Sequence, residues 1–199
     1  MGGRSTASRN DHTFDTTNTR YHPSRSVSTL AALGTYPTSS SAQLFYNDYN
    51  LEFTGARQDS AFALVSDFKT RGVPIDGIGF QAHFQINCDG TGVPTQQSLV
   101  ATFSRFAALG LKIHLTELEI RVRTPGATAA ALTAQTQGST NVVSACLAVP
   151  ACDSIVVWGV NDGESWVPGT FPGFGPALLF DDSFGKKATY NAVRAALGS

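Results

Sequence analysis

The chain is 199 residues long, which at roughly 150 residues per domain points to one globular domain and excludes a large multidomain enzyme. Apolar residues make up 42% and 19 glycines add to them, an ordinary balance that excludes disorder throughout. Fourteen basic against fifteen acidic side chains give a formal charge of -1, which offers no footprint for nucleic acid or an anionic membrane and favours a neutral ligand.

Residues 1–40 differ from the other residues. They hold ten apolar residues and fifteen Ser or Thr, with four Arg against two Asp, a composition that leaves a segment disordered more often than folded. This stretch therefore reads as a low-hydrophobicity tail, or as a segment unrelated to residues 41–199. Its opening, MGGRSTASRN, lacks the apolar stretch of a secretory signal, and no run of about 18 apolar residues that could span a bilayer occurs anywhere.

From residue 41 a short apolar run followed by a helical pattern recurs four times. The predicted strands are Ala42–Tyr46, Ile75–Phe80, Lys112–Leu118 and Ser154–Val160, bounded by turn residues or polar clusters. Between the first two, Ala61, Leu64, Val65 and Phe68 repeat at helical spacing, with Gly72 as the stop. Leu99, Phe103 and Phe106 form a second stripe, opened by Thr95 and closed by Gly110; residues 127–149 and 186–197 supply two more helices. Strands alternating with helices imply a parallel sheet, because each crossover covers a face. Four units in residues 41–199 take about 40 residues each, so eight would fill a large (β/α)8 TIM-type barrel. The α/β fold expected is half of one, with an open edge and a tendency to self-associate.

Reactive groups in parallel α/β sheets gather at the carboxyl ends of strands. Here those ends carry Asn47 to Asn50, then Gln81 and His83, then Glu117 and Glu119, then Trp158 with Asn161 and Asp162 beyond. Side chains alternate along a strand, so Glu117 and Glu119 share a face, as do Gln81 and His83. The chain has four glutamates, at 52, 117, 119 and 164, and two of them end a strand that begins as an apolar run. Two readings stand: solvated loop carboxylates, or a site in which His83 hydrogen-bonds one carboxylate and is oriented by the other. His83 and His114 form no short ligand pair, and His114 falls on the opposite strand parity from Glu117, so no metal is expected. A serine triad finds no G-x-S-x-G elbow, and no phosphate loop or cofactor motif occurs. Trp158 and Trp166, with Tyr49, Asn47, Gln81 and Glu117, favour a carbohydrate site, because flat rings suit the C–H faces of sugars. Cys146 and Cys152 are close enough to close a small loop. A bridge there requires an oxidising compartment, whereas reduced core thiols are the alternative reading. Cys88 is left over.

Four stretches together resemble glycoside hydrolase family 10, the endo-1,4-β-xylanases, particularly fungal members. LFYNDYNLE at 44–52 resembles the fifth barrel strand, GVPIDGIGFQAHF at 72–84 the sixth, KIHLTELEI at 112–120 the seventh, and VVWGVNDGESW at 156–166 the eighth. The resemblance runs from about 41 to 197 and implies a retaining hydrolase of xylan. It makes Glu117 the nucleophile, His83 its hydrogen-bonding partner, and Glu119, where the family usually has Asp, the residue holding His83. Asn47, Tyr49, Gln81, Trp158 and Trp166 would bind xylan or xylo-oligosaccharides. The Cys146/Cys152 spacing resembles a disulfide common in the fungal branch, which implies secretion. A retaining mechanism needs a second carboxyl about 5–5.5 Å away. The resemblance expects it in an Asn-Glu pair ending a fourth strand upstream, whereas residues 1–51 contain no Glu. The alternative expectations are a non-catalytic remnant that binds xylo-oligosaccharides, or a related retaining barrel such as a cellulase.

Overall fold

The computed structural model describes residues 43–87 and 89–198, so the tail expected over residues 1–40, the start of the first predicted strand and Cys88 lie outside the described residues. The elements in chain order are strand β1 (Phe45–Asp48), helix α1 (Ala56–Thr70), β2 (Gly77–Phe80), β3 (His83–Gln85), α2 (Gln96–Ala107), β4 (Lys112–Arg123), α3 (Ala129–Ala148), β5 (Cys152–Val157), a short helix α4 (Val167–Thr170), β6 (Phe174–Gly175) and α5 (Ala188–Ala196). β1, β2, β4 and β5 pair in that spatial order, all parallel, and β3 continues β2 along the same side of β4. β6 adds a short antiparallel pairing at the far end of β4. This is a partial barrel of βα units.

The helices form where the apolar spacing places them. α1 buries Ala61, Leu64, Val65 and Phe68. It ends as expected at Gly72, whose φ of 69° would strain any residue with a Cβ. There the Val73 amide donates to the Phe68 carbonyl at 2.9 Å, closing a helix end that would otherwise leave bare carbonyls. The hydroxyls of Thr95 and Thr128 cap α2 and α3 by accepting from the amides of Ser98 and Ala131. Phe80 of β2 meets Phe103 and Phe106 of α2 edge-on at 5.0 and 5.5 Å. With Leu99, all four are sealed from solvent, so the stripe read at 99, 103 and 106 is the seam that fixes α2 to the sheet.

The opposite sheet face, the inner face of a barrel, is built differently. β2 contributes Gly77 and Gly79 there, and its neighbours fill the space. A Cβ on Gly77 would fall within 2.1 Å of the Phe45 ring, and one on Gly79 within 2.4 Å of Asn47 Oδ1. Phe45 thus reaches across to stack on His114 at 4.1 Å, and Asn47 reaches across to Thr116.

All four predicted strands have different bounds from those read in the sequence. β1 runs on to Asp48 instead of ending at Tyr46, β5 spans Cys152–Val157 instead of Ser154–Val160, β2 begins at Gly77 instead of Ile75, and β4 is longer. The departures along β2, β3 and β4 shape the site. β2 stops at Phe80; after Gln81 and Ala82 the ladder resumes at His83. β4 runs on to Arg123, five residues beyond the predicted end. Phe80 pairs with Leu115 and His83 with Glu119, so three steps on one side match four on β4. The same irregularity recurs toward β5, between Leu115 and Leu118. β4 therefore carries one extra residue, a bulge.

Candidate active site

The bulge corrects the parity expected along β4. Alternation from the start of the strand puts His114 and Thr116 inward and would turn Glu117 away. The extra residue resets the phase, so Thr116 and Glu117 both face Asn47. The Thr116 hydroxyl donates to Asn47 Oδ1 at 2.8 Å, and Asn47 Nδ2 donates to Glu117 Oε1 at 3.1 Å. His114 accordingly lies on the same face as Glu117, not the opposite one, but toward the other end of the strand. There its Nε2 pairs with Asp153 at 2.6 Å, and Lys112 reaches the same carboxylate. Among the described residues no three His, Cys, Asp or Glu side chains gather as a metal site would require.

His83 stands between the two glutamates. Its Nε2 lies 3.1 Å from Glu117 Oε2 and its Nδ1 3.1 Å from Glu119 Oε1. A neutral imidazole would face one carboxylate with a lone pair, whereas the doubly protonated ring donates to both. Burial pulls the His83 imidazole down. The hydrogen bond it donates to Glu119, the charges of Glu119 and Glu117 and the bond it donates to Glu117 outweigh burial and hold it above its ordinary 6.5. Glu119 is sealed from solvent, and its second oxygen accepts from Trp166 Nε1 at 2.8 Å. Trp166 also tilts toward the His83 ring at 5.3 Å and is braced edge-on by Phe171. Glu117 is partly open to solvent whereas Glu119 is not, so of the two it is the carboxylate that solvent reaches.

The hydrogen bonds thus join five of the sequence-predicted residues, Asn47, His83, Glu117, Glu119 and Trp166, in one network. The other three sit around it. Trp158 follows β5 with its backbone amide on the Leu118 carbonyl and its side chain 46% exposed. Gln81, at the break after β2, is half-buried and its amide donates to the Asp48 carbonyl. Tyr49 lies under the Arg57 guanidinium, which stacks 3.9 Å from its ring and is anchored on Asp48 at 2.7 Å. The predicted bridge is formed: Cys146 and Cys152 are joined, tying the end of α3 to the start of β5.

Sequence reasoning missed two members. Thr116, in the middle of KIHLTELEI, holds Asn47; alternation counted back from Glu117 and Glu119 turns it away, and only the bulge puts it on their face. Glu52, the last residue of LFYNDYNLE, is a glutamate to which the sequence alone assigns no role. It is buried, and its Oε1 accepts from the Ala82 amide at 2.6 Å. Burial pushes its carboxyl from 4.5 up to about 7, despite hydrogen bonds from backbone amides that pull the other way.

The profile of glycosyl hydrolase family 10 matches residues 31–196. The chain belongs to that family. It is 41% identical over 155 residues to endo-1,4-beta-xylanase 1 of Humicola insolens, an alignment that takes in 78% of this chain and 35% of that protein. Among solved structures, a glycosylated endo-beta-1,4-xylanase of family 10 from Gloeophyllum trabeum superposes with a TM-score of 0.79 at 36% identity, covering 89% of this chain and 53% of that one. Xylanase 10B of Thermotoga petrophila, in complex with xylobiose, superposes with a TM-score of 0.74 at 37% identity over 79% of this chain and 46% of that one. The chain spans less than half the length of the curated relatives it matches, in keeping with its four βα units of a (β/α)8 barrel.

Proposed function

We propose that this chain carries the nucleophile side of a retaining endo-1,4-β-xylanase. The observation that carries the reading is a solvent-reachable Glu117 tied to Asn47 and to a His83 whose other nitrogen faces a buried Glu119. In this mechanism a Glu117 oxygen attacks the anomeric carbon of a xylosyl unit. The glycosidic carbon–oxygen bond breaks, and the departing oxygen takes a proton from a second carboxyl. The glycosyl–Glu117 ester is then cut by water, restoring the carboxylate. His83 donates to Glu117 and orients it; Glu119 and Trp166 hold His83. Asn47 is placed to hydrogen-bond a sugar hydroxyl as well as the nucleophile, and Tyr49, Gln81, Trp158 and Trp166 line subsites for xylan or xylo-oligosaccharides. The Cys146–Cys152 bridge supports export to an oxidising, extracellular compartment.

A 2-fluoro xyloside with a dinitrophenolate leaving group tests the nucleophile directly, because that group departs without a proton. Peptide mapping by mass spectrometry is expected to find the adduct on Glu117, and an adduct on another side chain would overturn the assignment. A second reading, binding of xylo-oligosaccharides without cleavage, is favoured by the exposure of Trp158 and Trp166, 46% and 38%, which offer ring faces independently of any acid. It predicts quenching of tryptophan fluorescence by xylohexaose with no Glu117 adduct. We further infer that the open inner face associates with a second copy, since Val156 and Val160, flanking Trp158, are 47% and 58% exposed.

A further inference from the structure

Ala82 occupies a conformation that its own chemistry does not favour. Its φ is 61°, the left-handed region in which a Cβ crowds the backbone and which glycine or asparagine usually fills. It stands at the break between β2 and β3, where the ladder must absorb the bulge of β4. Its two neighbours, Gln81 and His83, both belong to the site. A strained peptide persists only when its surroundings hold it, and both polar groups of Ala82 are held. Its amide donates to Glu52 Oε1 at 2.6 Å, and its carbonyl accepts from the amide of Glu119 at 3.3 Å. Glu52 is 1% exposed. A carboxyl so deeply buried costs stability unless it is used, and beyond the bond from its own amide its use here is the backbone donor one residue before His83.

We propose that Glu52 is a positioning residue: by gripping the Ala82 amide it holds the left-handed turn that aims the His83 ring at Glu117 and Glu119 together. Without that grip Ala82 relaxes toward ordinary backbone angles, β3 slips relative to β4, and His83 loses one of its two carboxylates. That this positioning serves glycoside chemistry rests on the function proposed above; that it orients His83 does not.

The test reads the His83 imidazole by 15N-edited NMR titration of the 199-residue chain, a measurement that needs no turnover. In the wild type the ring titrates above the ordinary 6.5. In Glu52→Ala the midpoint falls toward 6.5, because a displaced ring loses the charge of one carboxylate. Adding Ala82→Gly to Glu52→Ala restores it, since glycine adopts the left-handed turn unaided. Glu52→Gln, which keeps an acceptor at the same reach, stays near wild type. If Glu52→Ala does not fold, Glu52→Asp, which retracts the carboxyl by one methylene, takes its place in the same comparison. An unchanged midpoint in the disrupted variant, or no recovery on adding Ala82→Gly, would overturn the proposal and reduce Glu52 to a packing role. Failure of fluorosugar labelling, by contrast, bears on the proposed function and leaves this outcome readable.

Discussion

Replacing Gly79 with alanine puts one methyl group into the layer that aligns the nucleophile. The added Cβ would lie 2.4 Å from Asn47 Oδ1 and 3.0 Å from the Thr116 methyl carbon, whereas ordinary contact begins near 3.4 Å. The Asn47 amide must therefore retreat by about 1 Å, a displacement of the size that costs a catalytic arrangement about 100-fold. Overpacking of a closed core costs about 1–3 kcal/mol. Asn47 borders solvent and can swing outward, so the stability loss belongs at the low end of that range, about 1 kcal/mol. Gly79→Ala should separate the two quantities. Urea unfolding is expected to move only slightly, while the Asn47 side-chain amide resonances shift as its bonds to Thr116 and Glu117 break, and glycosylation by the fluorosugar slows. Gly79→Ala with wild-type Asn47 resonances would refute the reasoning, as would a stability loss of about 3 kcal/mol or more, the upper end for a closed core.

Other outcomes stem from the same geometry. Glu52, held at about 7 against an ordinary 4.5, keeps a proton in the folded chain that the unfolded chain has released. Stability should therefore fall as pH rises from 4.5 to 7, by about 3 kcal/mol for this group. The difference between wild-type and Glu52→Gln urea midpoints across that window isolates it, and parallel curves would count against it. Reducing the Cys146–Cys152 bridge, whose sequence separation is 6, should lower unfolding stability by about 2 kcal/mol, checked by comparing urea unfolding of wild type and the Cys146→Ala/Cys152→Ala double variant. Sedimentation velocity at rising concentration should reveal self-association, weakened by Val156→Asp on the exposed inner face; a monomer at every concentration would argue that the face is not sticky.

What the residues determined by themselves is the local and periodic part of the protein. Leu99, Phe103 and Phe106 specify α2 and its buried stripe, Gly72 ends α1, and alternating apolar runs and helical patterns specify parallel βα units, because these depend on neighbours within a few turns. The chemistry was legible too: a histidine and two glutamates at adjoining strand ends, with tryptophans nearby. Tertiary structure decided the register. The extra residue at Thr116 and Glu117, the left-handed turn at Ala82 and the burial of Glu52 arise from matching β2 and β3 against β4, residues more than thirty positions apart, and no local pattern encodes that match. His114 moved to the face of Glu117 for the same reason. A single residue gained in a ladder reverses which side chains look inward, and only the paired strands reveal where it was gained.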